Sequence, residues 1–242
     1  MGERGGGIGR FVVGTLVVLA LLAALCCGGG WWLWTKASPQ LAEAFDVERG
    51  SGRAVAEERA VGAFERVRVD GVIDVHVRVG AERSVVVHAD DNLLASVTTN
   101  VVGGELRIAT LGSFDPATRM TVDVVTPTLS ALHGVGVGEV VADGVVADRF
   151  EVRVGGVGDV TVTGTADVLD VRTSGVGDAN LLGLDAREAH VDASGVGSVD
   201  VRVRELLDAS VRGVGSVRYA GNPPTVRQTV DGVGSVTPLE GR

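Results

Sequence analysis

A chain of 242 residues is long enough for one or two domains with a sizeable core. Its net charge of −9, with one lysine (Lys36) against 21 arginines, argues against nucleic acid as a partner, because phosphate binding needs a basic surface. The 36 glycines are too few for a collagen helix, and the only cysteines, Cys26 and Cys27, are adjacent, which excludes a disulfide scaffold.

Residues 1–10 carry Arg4 and Arg10, and no charge follows from Phe11 to Trp34. Those 24 residues suffice to cross about 30 Å of hydrocarbon as a helix. The positive-inside rule puts residues 1–10 in the cytoplasm, and Trp31, Trp32 and Trp34 suit the far interface. The expectation is one transmembrane helix over 11–34, in the cytoplasmic membrane, with the rest of the chain outside it, periplasmic or extracellular. Two other readings export the chain equally well. One is a cleaved signal peptide with Leu16–Leu25 as its apolar region and Ala42-Glu43-Ala44 as the cleavage site. The other is a lipoprotein modified at Cys26 or Cys27. Residues 35–60, interrupted by Pro39, Gly50, Ser51 and Gly52, read as a linker.

From residue 61 the chain is strand-rich. Phe64–Val69, Val72–Val79, Ser84–His88, Glu105–Ala109 and Met120–Val125 alternate or are dense in valine. Turns fall at Asp70-Gly71, Gly80-Ala81 and Gly103-Gly104, with Asp90–Leu94 as a longer loop. From residue 136 a repeat takes over. Gly-Val-Gly begins at Gly136, Gly156, Gly175, Gly195, Gly213 and Gly232, in steps of 20, 19, 20, 18 and 19 residues. A short alternating run follows each motif, as in Asp159-Val160-Thr161-Val162, and a second run leads to the next, as in Leu169-Asp170-Val171-Arg172-Thr173. Period-two alternation in short segments means half-buried strands. Two or three such strands per unit of about 19 residues describe one rung of a β-solenoid.

Stacking the rungs predicts an all-β fold with inward columns Val160/Ala179/Val199/Val217 and Val152/Val171/Val191/Ala209. The glycines Gly136, Gly138, Gly156, Gly158, Gly175, Gly177, Gly195, Gly197, Gly213, Gly215, Gly232 and Gly234 mark tight structural corners. The sequence leaves open whether the motif valines face in or out. Residues 61–132 are expected to form earlier rungs of the same coil, so that 61–242 is one domain.

Several stretches resemble the bacterial head GIN domain family, also known as the auto-transporter adhesin domain. Phe64-Glu65-Arg66-Val67-Arg68-Val69 is similar to its opening strand, and Ala89-Asp90-Asp91-Asn92-Leu93-Leu94 to its acidic Asn-Leu loop. The runs at 103–108 and 125–129 also match, and the likeness spans about 60–236. The family usually reads Gly-Ser-Gly where this chain reads Gly-Val-Gly, replacing a hydroxyl ladder with an apolar one. The resemblance implies a right-handed parallel β-helix on an exported protein, with adhesion as the family's associated role.

Site chemistry is sparse. His76, His88, His133 and His190 lack cysteine partners and helical metal spacing, so they read as exposed surface residues; Asp74-x-His76 and His88-x-Asp90 are the only pairs worth testing for zinc. The column Glu139, Asp159, Asp178 stacks like charges one rung apart and is a weak calcium candidate beside solvated carboxylates. No cofactor is expected. A polysaccharide-cleaving β-helix would need clustered carboxylates and aromatic platforms, and beyond Lys36 the only aromatics are Phe45, Phe64, Phe114, Phe150 and Tyr219. The reading is therefore a non-enzymatic, membrane-anchored envelope protein that binds an extracellular protein or glycan, with self-association as a further contact. The alternative is a structural or stress-sensing envelope module.

Overall fold

The computed structural model describes residues 47–239. The expected span 11–34, the cleavage site at 42–44 and Cys26 and Cys27 lie outside the described residues. Among the described residues no helix is long and apolar enough to cross a membrane.

Among the described residues the elements are seventeen strands and one 3-10 turn at Leu94–Ser96. In chain order the strands are β1 (Glu48–Arg49), β2 (Ala54–Glu58), β3 (Arg66–Val69), β4 (Asp74–Val79), β5 (Ser84–Asp90), β6 (Val97–Val102), β7 (Glu105–Thr110), β8 (Phe114–Asp115) and β9 (Thr121–Thr126). They continue as β10 (Ala131–Gly134), β11 (Val140–Val154), β12 (Val160–Thr173), β13 (Ala179–Ala193), β14 (Val196–Val211), β15 (Val214–Ala220), β16 (Thr225–Val230) and β17 (Val233–Pro238). Apart from the small β1–β8 pair, all belong to one continuous, coiled sheet.

From β10 onward every pairing is parallel, and the chain forms a β-solenoid of about five turns. Alternation explains the core directly, because every second side chain of each strand points the same way. Leu106, Val67, Leu132, Val152, Val171, Val191 and Ala209 stand in register on successive strands, and all are buried. On the other face Val122, Val75, Val140, Val160, Ala179, Val199 and Val217 form a second buried column. Both columns expected from the sequence are in these ladders. Each buried valine or leucine stabilises the coil by about 1.5–3 kcal/mol relative to leaving it in water. Bulges at Ala142/Val145 and Thr161/Thr163 let β11 and β12 bend round the core without ending.

The part before β10 departs from a simple earlier run of the same coil. One true rung exists there: β3 pairs with β10 and β4 with β11, both parallel, and Val72 bridges to Val137. A second is made by β7 on β3 and β9 on β4. Above these the direction reverses. β6 is antiparallel to β7, β5 is antiparallel to β9, and β2 is antiparallel to β5. Alternation fixes which side chains go inward but not which way a strand runs, so the reversal left no mark in the pattern.

The segment read as a linker is also corrected over its described part. β1 pairs with β8, and Ala54–Glu58 pairs residue by residue with Asp90–Val86. Asp90 explains why. It is fully buried, and its Oδ1 accepts the Gly52 N–H (3.0 Å) and the Thr118 hydroxyl (3.1 Å). Its Oδ2 accepts the N–H groups of Ala117 (2.9 Å) and Thr118 (3.2 Å). Burial alone would push this carboxyl up, but the converging donors outweigh it and hold it below the usual carboxylate range. One side chain thus fastens the incoming chain and the 115–118 loop to β5.

Candidate functional site

The most regular surface feature is built at the glycine corners. Each motif valine donates its N–H to the carbonyl of the first glycine one rung earlier: Val157 to Gly136 (3.0 Å), Val176 to Gly156 (2.9 Å), Val196 to Gly175 (2.9 Å) and Val214 to Gly195 (3.0 Å). These stacked carbonyls lie where a Cβ on the next glycine would point. A methyl group on Gly156, Gly175, Gly195, Gly213 or Gly232 would fall inside the van der Waals surface of that backbone oxygen. The second glycines are crowded in the same way, and Gly138, Gly158, Gly177 and Gly197 also hold φ between 141° and 150°. Both constraints exclude larger residues.

At the apex of such a corner the valine side chain sits on the convex side. The motif valines therefore face outward, which settles the question the sequence left open. Val72, Val137, Val157, Val176, Val196, Val214 and Val233 form one column, from 47% exposed at Val137 to 74% at Val233. With strands about 4.8 Å apart, the seven side chains make an apolar rail roughly 29 Å long. Val72 belongs to it although its motif reads Gly71-Val72-Ile73, with isoleucine in place of the second glycine. The residues just before the motifs are Val135, Gly155, Ser174, Ser194, Arg212 and Asp231, and those just after them turn from acidic in the earlier rungs (Glu139, Asp159, Asp178) to serine in the later ones (Ser198, Ser216, Ser235).

The acidic column runs beside the rail and has a structural use. Asp159 Oδ1 accepts the Asp178 N–H (2.9 Å), and Asp178 Oδ1 accepts the Ser198 N–H (2.7 Å). In the earliest rung Asp74 takes this part, accepting the Glu139 N–H at 2.8 Å. Burial would raise the Asp74 carboxyl, but that N–H and the Arg119 guanidinium at 2.8 Å hold it below its ordinary value. Arg119 also reaches Glu139, at 3.8 Å. Asp74, Asp159 and Asp178 thus each cap a backbone N–H of the next rung, whereas the Glu139 carboxylate meets Arg119 instead. Among the described residues no group of three or more His, Cys, Asp or Glu side chains could hold a metal ion.

The histidines are placed differently from the expected pairs. Asp74 and Asp90 are engaged as above, and His76 and His88 converge instead on Asp123 of the intervening β9, at 3.6 and 2.9 Å. His133 is not a surface residue. It points outward from β10 but is 6% exposed, with Nδ1 3.3 Å from Glu105 and Nε2 3.7 Å from Glu151. Glu105 reaches it from β7, two strands away, and Glu151 from the adjacent β11. Glu151 is itself held by Arg153 and Arg172, which lower its carboxyl against the upward push of burial. This is a charged network rather than an open cleft.

No curated protein matches the chain. Among solved structures it is similar to a "putative adhesin" of Bacteroides fragilis, with 22% identity, a TM-score of 0.65, and coverage of 79% of this chain and 99% of that one. A second "putative adhesin", from Parabacteroides merdae, matches at 20% identity and a TM-score of 0.50, over 81% of this chain and 100% of the other. At these identities the likeness establishes the fold. The family model for "Putative auto-transporter adhesin, head GIN domain" matches residues 63–223, from β3 to β15, and the chain belongs to that family.

Proposed function

We propose that this chain is a non-enzymatic adhesion module, held at the outer face of the cytoplasmic membrane by residues 11–34. Its right-handed solenoid presents the valine rail to an extracellular protein or glycan. The observation that carries the reading is the rail: seven exposed valines in one column, where solvated side chains would cost nothing sterically. Contiguous apolar surface of this extent on a soluble face marks an interaction site more often than it marks packing. A repetitive ladder suits an extended partner, since each rung offers the same contact. The family match and the adhesin-like neighbours support an adhesion-type role. The anchor rests on the uncharged run after Arg4 and Arg10.

The test is a binding comparison on a glycan array and on intact cells. It uses the chain and a variant with Val157→Ser, Val176→Ser and Val196→Ser. Serine restores the residue that the family's motif usually carries, so the corner geometry is retained. Binding by the parent and its loss in the variant is the expected result. Equal binding by both would remove the rail from the proposal. Separately, protease added to spheroplasts should digest the domain beyond residue 47, and full protection would refute export.

A further inference from the structure

Among the described residues the two ends of the solenoid are finished differently, and no strand covers the C-terminal end. Inward positions on β14 are buried, with Leu207 at 0% and Val211 at 1% exposure. Their register partners on β16, Val226 and Val230, are 37% and 41% exposed, with no further rung over them among the described residues. β16 and β17 pair on one side only, with β14 and β15 respectively. Each leaves a row of backbone donors and acceptors at the edge, which is a template for another strand. The column Val152–Val171–Val191–Ala209 ends on Gln228, a polar residue at an inward position.

We propose that this end is closed by the same end of a second copy of the chain, with β16 of one paired antiparallel to β16 of the other. A two-fold axis at Gln228, normal to the sheet, sets the register. Val226 then faces the second copy's Val230 on the inward side, and Arg227 faces its Thr229 on the outer side, so no like charges are opposed. The two Gln228 side chains face each other. Each amide carries one acceptor and one donor pair, so two glutamines satisfy one another where a single buried one would not. The core columns run through the junction without a break.

Other occupants fit less well. A lone peptide strand would cover the β16 edge but leave Val236 on β17 without a neighbour, whereas a second copy brings a core of the same cross-section. The opposite end of another copy presents less of such a surface. Its inward residues Val85, Val87, Ala89 and Val97 are buried, and its edge strands are β2, which carries Glu57 and Glu58, and β6, whose inward row includes Thr99. Contact through the same patch on both partners also closes on itself, giving a dimer rather than a filament. The inference does not depend on what the valine rail binds.

The experiment uses the full chain in detergent micelles, with Cys26→Ser and Cys27→Ser to remove competing thiols. Under mild oxidation Gln228→Cys should form a covalent dimer, because directly opposed residues of an antiparallel pair lie within disulfide reach. Val146→Cys, highly exposed and far from the junction in sequence and register, should give no covalent dimer. In the same micelles Gln228→Glu should weaken sedimentation-measured association by roughly tenfold or more, because two carboxylates would be buried face to face. Its Tm when dilute should match the parent, as residue 228 is exposed in a single copy. The proposal falls if the two cysteine variants cross-link equally. It also falls if Gln228→Glu associates like the parent, or if the parent stays monomeric or grows into open filaments.

Discussion

The N-terminal and C-terminal ends of the solenoid solve one problem in opposite ways. A repeat propagates itself: each rung offers the next a row of hydrogen-bonding groups and a fresh apolar surface. Nothing in the repeat can stop that. At the N-terminal end the stop is made by non-repeating sequence. β5 and β6 run against their neighbours, β2 lies over β5, and Asp90 ties the arrangement with four hydrogen bonds. At the C-terminal end the last described rung simply resembles the others, down to Gly232-Val233-Gly234, and its inward valines Val226 and Val230 are exposed. A cap thus requires sequence that breaks the pattern, and a repeat without one keeps the capacity to bind more strand.

The largest expected contrast lies in the corner glycines. Gly177→Val places a side chain against the Gly158 carbonyl at φ +150°, with rungs on both sides preventing retreat. It should destabilise by more than about 4 kcal/mol in denaturant unfolding, or abolish folding. Gly234→Val meets the Gly215 carbonyl in the same way, but its φ lies outside the left-handed range and no rung lies beyond it. The last strand can shift outward, and the cost should be about 1–2 kcal/mol. Equal costs would mean that the final rung is held as firmly as the middle ones.

Core truncations should repeat the contrast on a smaller scale. Leu169 is fully buried between Phe150 and Ala189 of the adjacent rungs, and Leu169→Ala should cost about 3 kcal/mol. Val226→Ala, at the open end, should cost less than about 1 kcal/mol when measured on dilute single copies. A larger loss for Val226→Ala would show that something already covers that end in the monomer.

The same contrast separates what the sequence made legible from what it hid. From residue 136 onward an unvarying motif fixed the corners, and alternation fixed the inward columns, because both are set by steric rules that act within one rung. The first corner, Gly71-Val72-Ile73, escaped because isoleucine stands where the motif has glycine. The reversal of β5 and β6 escaped because strand direction is a tertiary choice. His133 read as a surface residue because alternation reports the face a side chain leaves from. Whether Glu105, two strands away on β7, and Glu151, on the adjacent β11, then come against it depends on tertiary registers, which put Arg68 and Arg153 directly beside it. The rail's outward direction follows from corner curvature, which the motif implies but alternation alone does not decide.

Acid should loosen the N-terminal cap before the coil. The Asp90 carboxyl lies below its ordinary value in the folded chain, so its contribution is present above the unfolded value near 4 and disappears as pH falls through the folded one. Asp74 and Glu151 act in the same direction, but neither carries the cap as Asp90 does. Hydrogen exchange, corrected for its intrinsic pH dependence, should show β2 and β5 losing protection at a higher pH than β12 and β13. Asp90→Asn should produce that loss at neutral pH, since an amide turns its own N–H donors toward those of Ala117, Thr118 or Gly52. Uniform loss across the domain would show that cap and coil unfold as one unit.

The smallest expected effect on stability belongs to the rail. Val157 and Val176 are about half exposed, and their backbone bonds do not involve the side chain. Serine in their place removes little buried area. Val157→Ser with Val176→Ser should change the unfolding free energy by no more than about 1 kcal/mol, near the scale of surface substitutions. Only a few tenths of a kilocalorie are at stake in β-propensity, where serine is weaker than valine. A corner that tolerates serine so readily has no folding reason to carry valine in every rung, so the side chains answer to something outside the fold. If the double variant instead lost several kcal/mol, the rail would be packed against part of its own chain. The apolar column would then be core, and the binding surface would have to be sought on another face of the coil.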